Sequence, residues 1–235
     1  NLGLSQALGQ SFAQTLDVNY KTYGGGNFLH QPIGIGTQPF TGHFDGGGYA
    51  IWHFSLSGFD LETAGDVALF GYADGGALLE HMTMRGSMMV NGEGHVAVVA
   101  ARLGDAATLR DTTVDAGNES SRITSNYAGN LSEVAVGVLA AVNQGSVQNC
   151  TVQCDSRDGI AVSAQLDEHG RTSVGGLIGN NVGEVQNCAV RNIYVVSARP
   201  NQGVGGLVGR NTGDILTSQT AFCRVSGHTY VGGLV

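Results

Sequence analysis

One short sentence of residues recurs along this chain. Residues 174–190 read VGGLIGNNVGEVQNCAV, residues 204–220 read VGGLVGRNTGDILTSQT, and residues 231–235 read VGGLV. An earlier copy at 136–152 reads VGVLAAVNQGSVQNCTV, and degenerate copies start at Val96 and Val67. The starts at 67, 96, 136, 174, 204 and 231 lie 29, 40, 38, 30 and 27 residues apart. The basic period is just under 30, with two long insertions. Such a period means stacked supersecondary units, because one unit buries too little surface alone.

Each unit reads as a short apolar strand, a Gly/Asn turn and a second strand, Val185 to Val190 in the clearest copy. Glycine supplies 38 of 235 residues and proline 3, so collagen, which needs abundant proline, is excluded. Apolar residues make up 42 % and charged residues 13 %, which argues against disorder. The expected fold is all-β: a parallel β-solenoid, right-handed, with 27–30 residues per coil and two longer coils. Each coil would add about 4.8 Å. Residues 1–66 are expected as lead-in or capping coils. Residues 67–235 are the repeats, continuous with the first part as one domain and continuing beyond 235.

Aligning the copies predicts ladders. Leu139, Leu177, Leu207 and Leu234 should stack inside. Asn143, Asn181 and Asn211 should stack at one turn, amide to amide. The pairs Gly175-Gly176 and Gly205-Gly206 fit a sharp bend or a close backbone approach. Cys150, Cys188 and Ser218 share an inward position. Directly stacked cysteines are poor disulfide geometry, so the thiols are expected to be free.

These residues resemble the GLUG repeat. The matches are Gly176-Leu177-Ile178-Gly179 and Gly206-Leu207-Val208-Gly209, with Gly233-Leu234-Val235 cut short. Pro32-Ile33-Gly34 followed by Pro39-Phe40-Thr41-Gly42-His43-Phe44-Asp45-Gly46 is similar to the family's lead-in. Units 67–114 depart from the pattern, Val98-Val99-Ala100-Ala101 standing in for the motif. The resemblance implies a secreted or surface-attached bacterial protein. Its relatives would be large adhesins and the non-catalytic parts of immunoglobulin-A-cleaving metallopeptidases.

The two long coils carry extra polar residues at one phase, about 115–133 and 155–172. These are expected to form one loop edge that binds a glycan or a protein. Its candidates are Asp115, Asn118, Arg122, Asn126, Asp155, Arg157, Asp158, Asp167, Glu168 and Arg171. No catalytic or metal residues are assigned. The carboxylates Glu184 and Asp214 share a repeat position; a pair about 5 Å apart would suit a retaining glycosidase or calcium. They read better as solvated turn residues, so no cofactor is expected, with calcium the one exception considered. His43 and His53 flank the Phe44-to-Gly48 turn and are read as sharing a face. No HExxH occurs among the seven histidines, so a zincin site is excluded. Aromatics gather early, from Phe40 to Tyr72, and read as the core of a wider coil or cap.

A formal charge of −8 with only 11 basic residues disfavours nucleic acid. No apolar run is long enough to span a bilayer. The chain is therefore read as a non-enzymatic segment of an exported protein, secreted or at the cell surface. It would be a rigid adhesive stalk. The alternatives are a self-assembling filament subunit, with copies stacked end to end or laterally, and an accessory region of a secreted peptidase or carbohydrate-active enzyme.

Overall fold

The computed structural model describes residues 8–21, 31–57, 66–126, 133–156, 159–165, 170–197 and 202–235. Among them are 29 strands and no helix, and every strand pairs in parallel with the strand one coil away. The protein is a parallel β-solenoid.

A complete coil visits five sheets. In one coil the chain runs through Glu133–Gly137 (sheet I), Ala140–Asn143 (sheet II), Ser146–Gln148 (sheet III), Thr151–Gln153 (sheet IV) and Ile160–Ala164 (sheet V). Sheets III and IV each hold seven strands, and sheets I, II and V hold four, five and six. The sheet III strands number the coils. Ser11–Ala13 lies in coil 1, His43–Asp45 in coil 2, Leu78–Glu80 in coil 3 and Thr108–Arg110 in coil 4. Ser146–Gln148, Glu184–Gln186 and Asp214–Leu216 follow in coils 5, 6 and 7. The repeat starts Val67, Val96, Val136, Val174, Val204 and Val231 form one in-register column along sheet I.

The second strand of each unit is not one strand. Val185 and Val190 are both buried, though five residues apart they would face opposite sides of a straight strand. The chain breaks between them at Asn187, whose φ is +54°, and the left-handed residue resets the alternation. Asp111, Asn149 and Thr217 hold the same corner in other coils, with φ between 47° and 54°. Asn and Asp adopt this conformation more readily than other side chains that carry a Cβ. The three-residue strands then bury their middle residue. Leu79, Leu109, Val147 and Val185 form one inner column, and Met84, Val114, Val152 and Val190 another.

The glycine motif folds sheet I against sheet II. A Cβ on Gly175 would stand 1.9 Å from the Ile178 carbonyl oxygen, and one on Gly179 would stand 2.6 Å from the Val136 nitrogen. Only glycine and alanine fit this contact, and Ala97, Ala101, Ala135 and Ala141 fill the rest of it. Leu139, Leu177 and Leu207 point into the main core, wholly buried. Leu234 continues their column but is 40 % exposed, because no described rung covers it.

The early aromatics divide. Phe40, Phe44, Phe54 and Phe70 are buried, and the Phe40 and Phe44 rings lie 5.2 and 5.4 Å from Phe70. Tyr49 is exposed. These rings fill the interior of coils 2 and 3.

Candidate functional site

Strands that bury their middle residue present the first and third to solvent, and stacking turns each outer position into a column about 4.8 Å per step. The densest outer columns meet at the corner between sheets III and IV. The third position of sheet III carries Asp45, Glu80, Arg110, Gln148 and Gln186 in register. The left-handed corner beside it carries His81, Asp111, Asn149 and Asn187.

These side chains connect from coil to coil. The His81 Nδ1 lies 3.1 Å from Asp45 Oδ1, and its Nε2 lies 4.0 Å from Asp111 Oδ2. Asn149 donates to Asp111 at 3.0 Å, and Asn187 donates to Asn149 at 2.8 Å. The chain of contacts therefore crosses coils 2 to 6. Beside it, Glu80 is 5 % exposed and bonded on both sides. Its Oε1 meets His43 Nε2 at 2.7 Å, and its Oε2 accepts from Arg110 Nε at 2.7 Å. Burial alone would raise the Glu80 carboxyl; the bonds from Arg110 and His43 outweigh it and bring the group below the ordinary glutamate value. The Gly47 N–H, followed by His81, lowers Asp45 in the same direction.

Sheet IV extends this ridge. Its first outer column holds Thr83, Thr113 and Thr151. Its second holds Trp52, Arg85, Asp115, Gln153 and Arg191. The Arg85 guanidinium sits 5.7 Å from the Trp52 ring, and Gln153 donates to Asp115 at 3.0 Å. Such a face has the groups that recognise hydroxylated or peptidic ligands: amides, carboxylates, hydroxyls, guanidinium and an aromatic ring.

The two long segments lie side by side, as expected of one edge, but they are strand at their centres rather than loop. Both long segments contain a full strand of sheet V, Ser121–Ser125 and Ile160–Ala164, paired residue by residue. Ile123, Ile160 and Val162 are drawn into the core, so the extra length divides between two corners. Asp115 ends a sheet IV strand, while Asn118 and Asp155 lie at the corner between sheets IV and V. Arg122 is exposed on the face of sheet V, and Asn126 follows that strand, donating to Asn91 at 3.0 Å. Arg171 is exposed at the start of a sheet I strand. Arg157, Asp158, Asp167 and Glu168 lie outside the described residues.

Other candidates fall into place as follows. Asn143, Asn181 and Asn211 form an inward ladder with amide contacts of 2.7 Å at both steps. Gly209 lines the tight contact of sheets I and II, while Gly176 and Gly206 hold the bend between them, where each faces the backbone of the next coil; a Cβ on any of the three would meet a backbone atom within 2.4 Å. Glu184 and Asp214 pair in register on the open outer face of sheet III, beside Ser146. His43 and His53 do not share a face. His53 sits between sheets IV and V, where its Nδ1 lies 3.2 Å from Ser87 Oγ and 3.4 Å from Glu119 Oε2. Both contacts use one ring nitrogen, so they do not make the relay of a nucleophile, base and orienting acid. The cysteines are free, with Cys150, Cys154 and Cys188 buried.

The ridge residues Glu80, His81, Arg110 and Asp111 escape a motif reading because coils 2 to 4 lack the glycine motif. The signal is there in the offsets: aligning coils on their inner Leu and Val columns would have placed them together.

No helix among the described residues is long and apolar enough to cross a membrane. No family model matches the chain. No curated protein matches it either. Among solved structures, it is similar to the crystal structure of a putative immunoglobulin A1 protease from Bacteroides ovatus, with a TM-score of 0.60 and 15 % identity, over 96 % of this chain and 78 % of that one. At that identity the two share a fold.

Proposed function

We propose that this chain is a non-catalytic, rigid segment of an exported bacterial surface protein, holding a polar ridge in fixed register for a glycan or protein ligand. The observation that carries the reading is the outer column Asp45–His81–Asp111–Asn149–Asn187, linked side chain to side chain across five coils. A repeating surface on a stiff support suits a repeating ligand, because little side-chain entropy is lost on binding. Calcium at Glu184 and Asp214 and catalysis by that pair are not part of this reading, since both carboxylates lie on an open face.

A second reading is an accessory region of a secreted peptidase. It is favoured by the likeness to the Bacteroides ovatus structure and by the resemblance to GLUG repeats.

The test is binding of the 235-residue chain to soluble glycan fragments and host glycoproteins, by array and then calorimetry. Asn149→Gly with Asn187→Gly, which suit the left-handed corner at φ +54°, should weaken binding tenfold or more and leave folding intact. The exposed residues flanking and on sheet V, Arg122→Ala with Asp155→Ala and Arg171→Ala, serve as the contrast. If only that set weakens binding, the contact surface is the sheet V side and the ridge assignment falls.

A further inference from the structure

Two imidazoles and two carboxylates converge at the start of the ridge. Ligand atoms of Asp45, Glu80 and His81 lie within 4.8 Å of one another. His43 adds a second imidazole, with Nε2 2.7 Å from Glu80 Oε1. The four residues come from neighbouring rungs, His43 and Asp45 on coil 2, and Glu80 and His81 on coil 3. We propose that His43, Asp45, Glu80 and His81 form a divalent transition-metal site of the zinc class that staples these two coils.

Three features support the assignment. The first is spacing. The nitrogen-to-oxygen separations are 2.7 Å for His43–Glu80 and 3.1 Å for His81–Asp45. Donors bonded to one zinc ion at about 2.0–2.2 Å stand roughly 3.3–3.6 Å apart in a tetrahedron, so these two pairs would open slightly, the wider separations among Asp45, Glu80 and His81, up to 4.8 Å, would close, and His43, outside that group, would move in. The second is charge. Asp45, Glu80 and Asp111 supply three negative charges against the one positive charge of Arg110. With neutral imidazoles the cluster carries a formal −2, which a dication cancels. The third is the surrounding shell. Arg110 holds Glu80 through Oε2 and leaves Oε1 for the ion. His81 would ligate through Nδ1, while its Nε2 faces Asp111 at 4.0 Å, and closing that gap by about 1 Å would give the carboxylate–histidine bond that supports metal-bound imidazoles.

Mixed imidazole and carboxylate donors favour zinc, nickel or cobalt over calcium, which prefers oxygen alone. The His43 and His81 side chains are 38 % and 49 % exposed, so the ion can enter from solvent.

The experiment titrates the metal-free chain with zinc chloride at neutral pH by calorimetry, and repeats the titration with His43→Asn and His81→Asn. Asparagine suits the left-handed backbone at position 81, whose φ is +50°. The expected result is one equivalent of zinc for the parent chain, a higher thermal midpoint with zinc, and at least tenfold weaker binding in each variant. Cobalt substitution gives a readout that needs no variant. Ligand-field bands without a thiolate charge-transfer band support the site; a thiolate band places the ion on cysteine and overturns it. No stoichiometric zinc binding, or binding unchanged in folded His43→Asn and His81→Asn, also overturns it.

Discussion

Asn143 donates its side-chain amide to Asn181 Oδ1 at 2.7 Å, inside a core where both residues are fully buried. Asn181 passes the pattern on to Asn211 at 2.7 Å and also donates to the Gly183 carbonyl at 3.1 Å. The ladder stops one coil earlier, where Leu103 occupies the register position of Asn143. Asn143 Oδ1 accordingly has no partner. The two ends of this one bond should respond differently to mutation. Asn181→Leu leaves the Asn143 amide with only the Glu184 carbonyl at 3.2 Å and takes the donor from the Asn211 carbonyl oxygen, at a cost of about 3 kcal/mol. Asn143→Leu removes an unpaired oxygen and extends the Leu103 column, but it strands the buried Asn181 Oδ1, so it breaks one step of the ladder where Asn181→Leu breaks two and should cost less, about 2 kcal/mol. Urea unfolding of the two variants checks the order. Equal losses would mean that the ladder does not set stability.

Gly175→Ala should be among the most damaging small substitutions. The new methyl group would meet the Ile178 carbonyl oxygen at 1.9 Å and the Gly209 nitrogen at 2.7 Å, and neither backbone atom has a free direction to move. A loss of about 3 kcal/mol is expected, or roughly 6–12 °C in Tm. Gly233→Ala is the matched control. Nothing lies within 4 Å of the added carbon there, so its effect should stay within about 0.5 kcal/mol. Thermal denaturation of the pair measures the difference.

The glycine contact and the Asn ladder were legible in the sequence because a spacing of 30 or 38 residues maps one repeated letter onto one stacked position. The parallel fold followed from the same arithmetic. Sheet V did not appear, because its strands, such as Ser121–Ser125 and Ile160–Ala164, sit in the variable part of the unit, where copies do not align. The corner at Asn187 stayed hidden for another reason: one left-handed residue flips the inside–outside alternation without changing composition. The ridge was the least legible. His81 occupies the corner position that Asn149 and Asn187 hold in later coils, but no shared motif ties the early coils to the late ones.

Thiol reactivity should follow burial. Hydrogen bonding to the Cys188 sulfur, together with burial, pushes the Cys150 thiol well above the ordinary range. Cys154 is 2 % exposed and raised by burial. Cys223 is raised as well, but it is the one cysteine of the four that is not buried. Brief alkylation of the native protein at pH 8, read by peptide mass spectrometry, should therefore modify Cys223 first. The other three should react only in denaturant. Early modification of Cys150 or Cys188 would contradict the packing of coils 5 and 6.

Stability should fall on mild acidification because of His95. Burial, its largest influence, pushes this imidazole below its ordinary value of 6.5, and its Nδ1 accepts the Ala135 N–H at 3.2 Å. In the unfolded chain the same ring takes up a proton at its ordinary value. The unfolded state thus binds more protons between that value and the lowered folded one, and folding loses free energy as the pH drops through the window. The contribution is complete above pH 6.5 and shrinks progressively below it. His95→Gln keeps an acceptor for the Ala135 N–H but does not titrate. Subtracting its unfolding free energies from those of the parent, measured in urea from pH 7.5 to 5, should leave a curve that declines toward pH 5. Asp45 and Glu80, whose folded values are lowered, lose their contributions only at lower pH and enter both proteins equally. A flat difference curve would mean that His95 is already solvated in the native coil, and would place the boundary between sheets I and V in water.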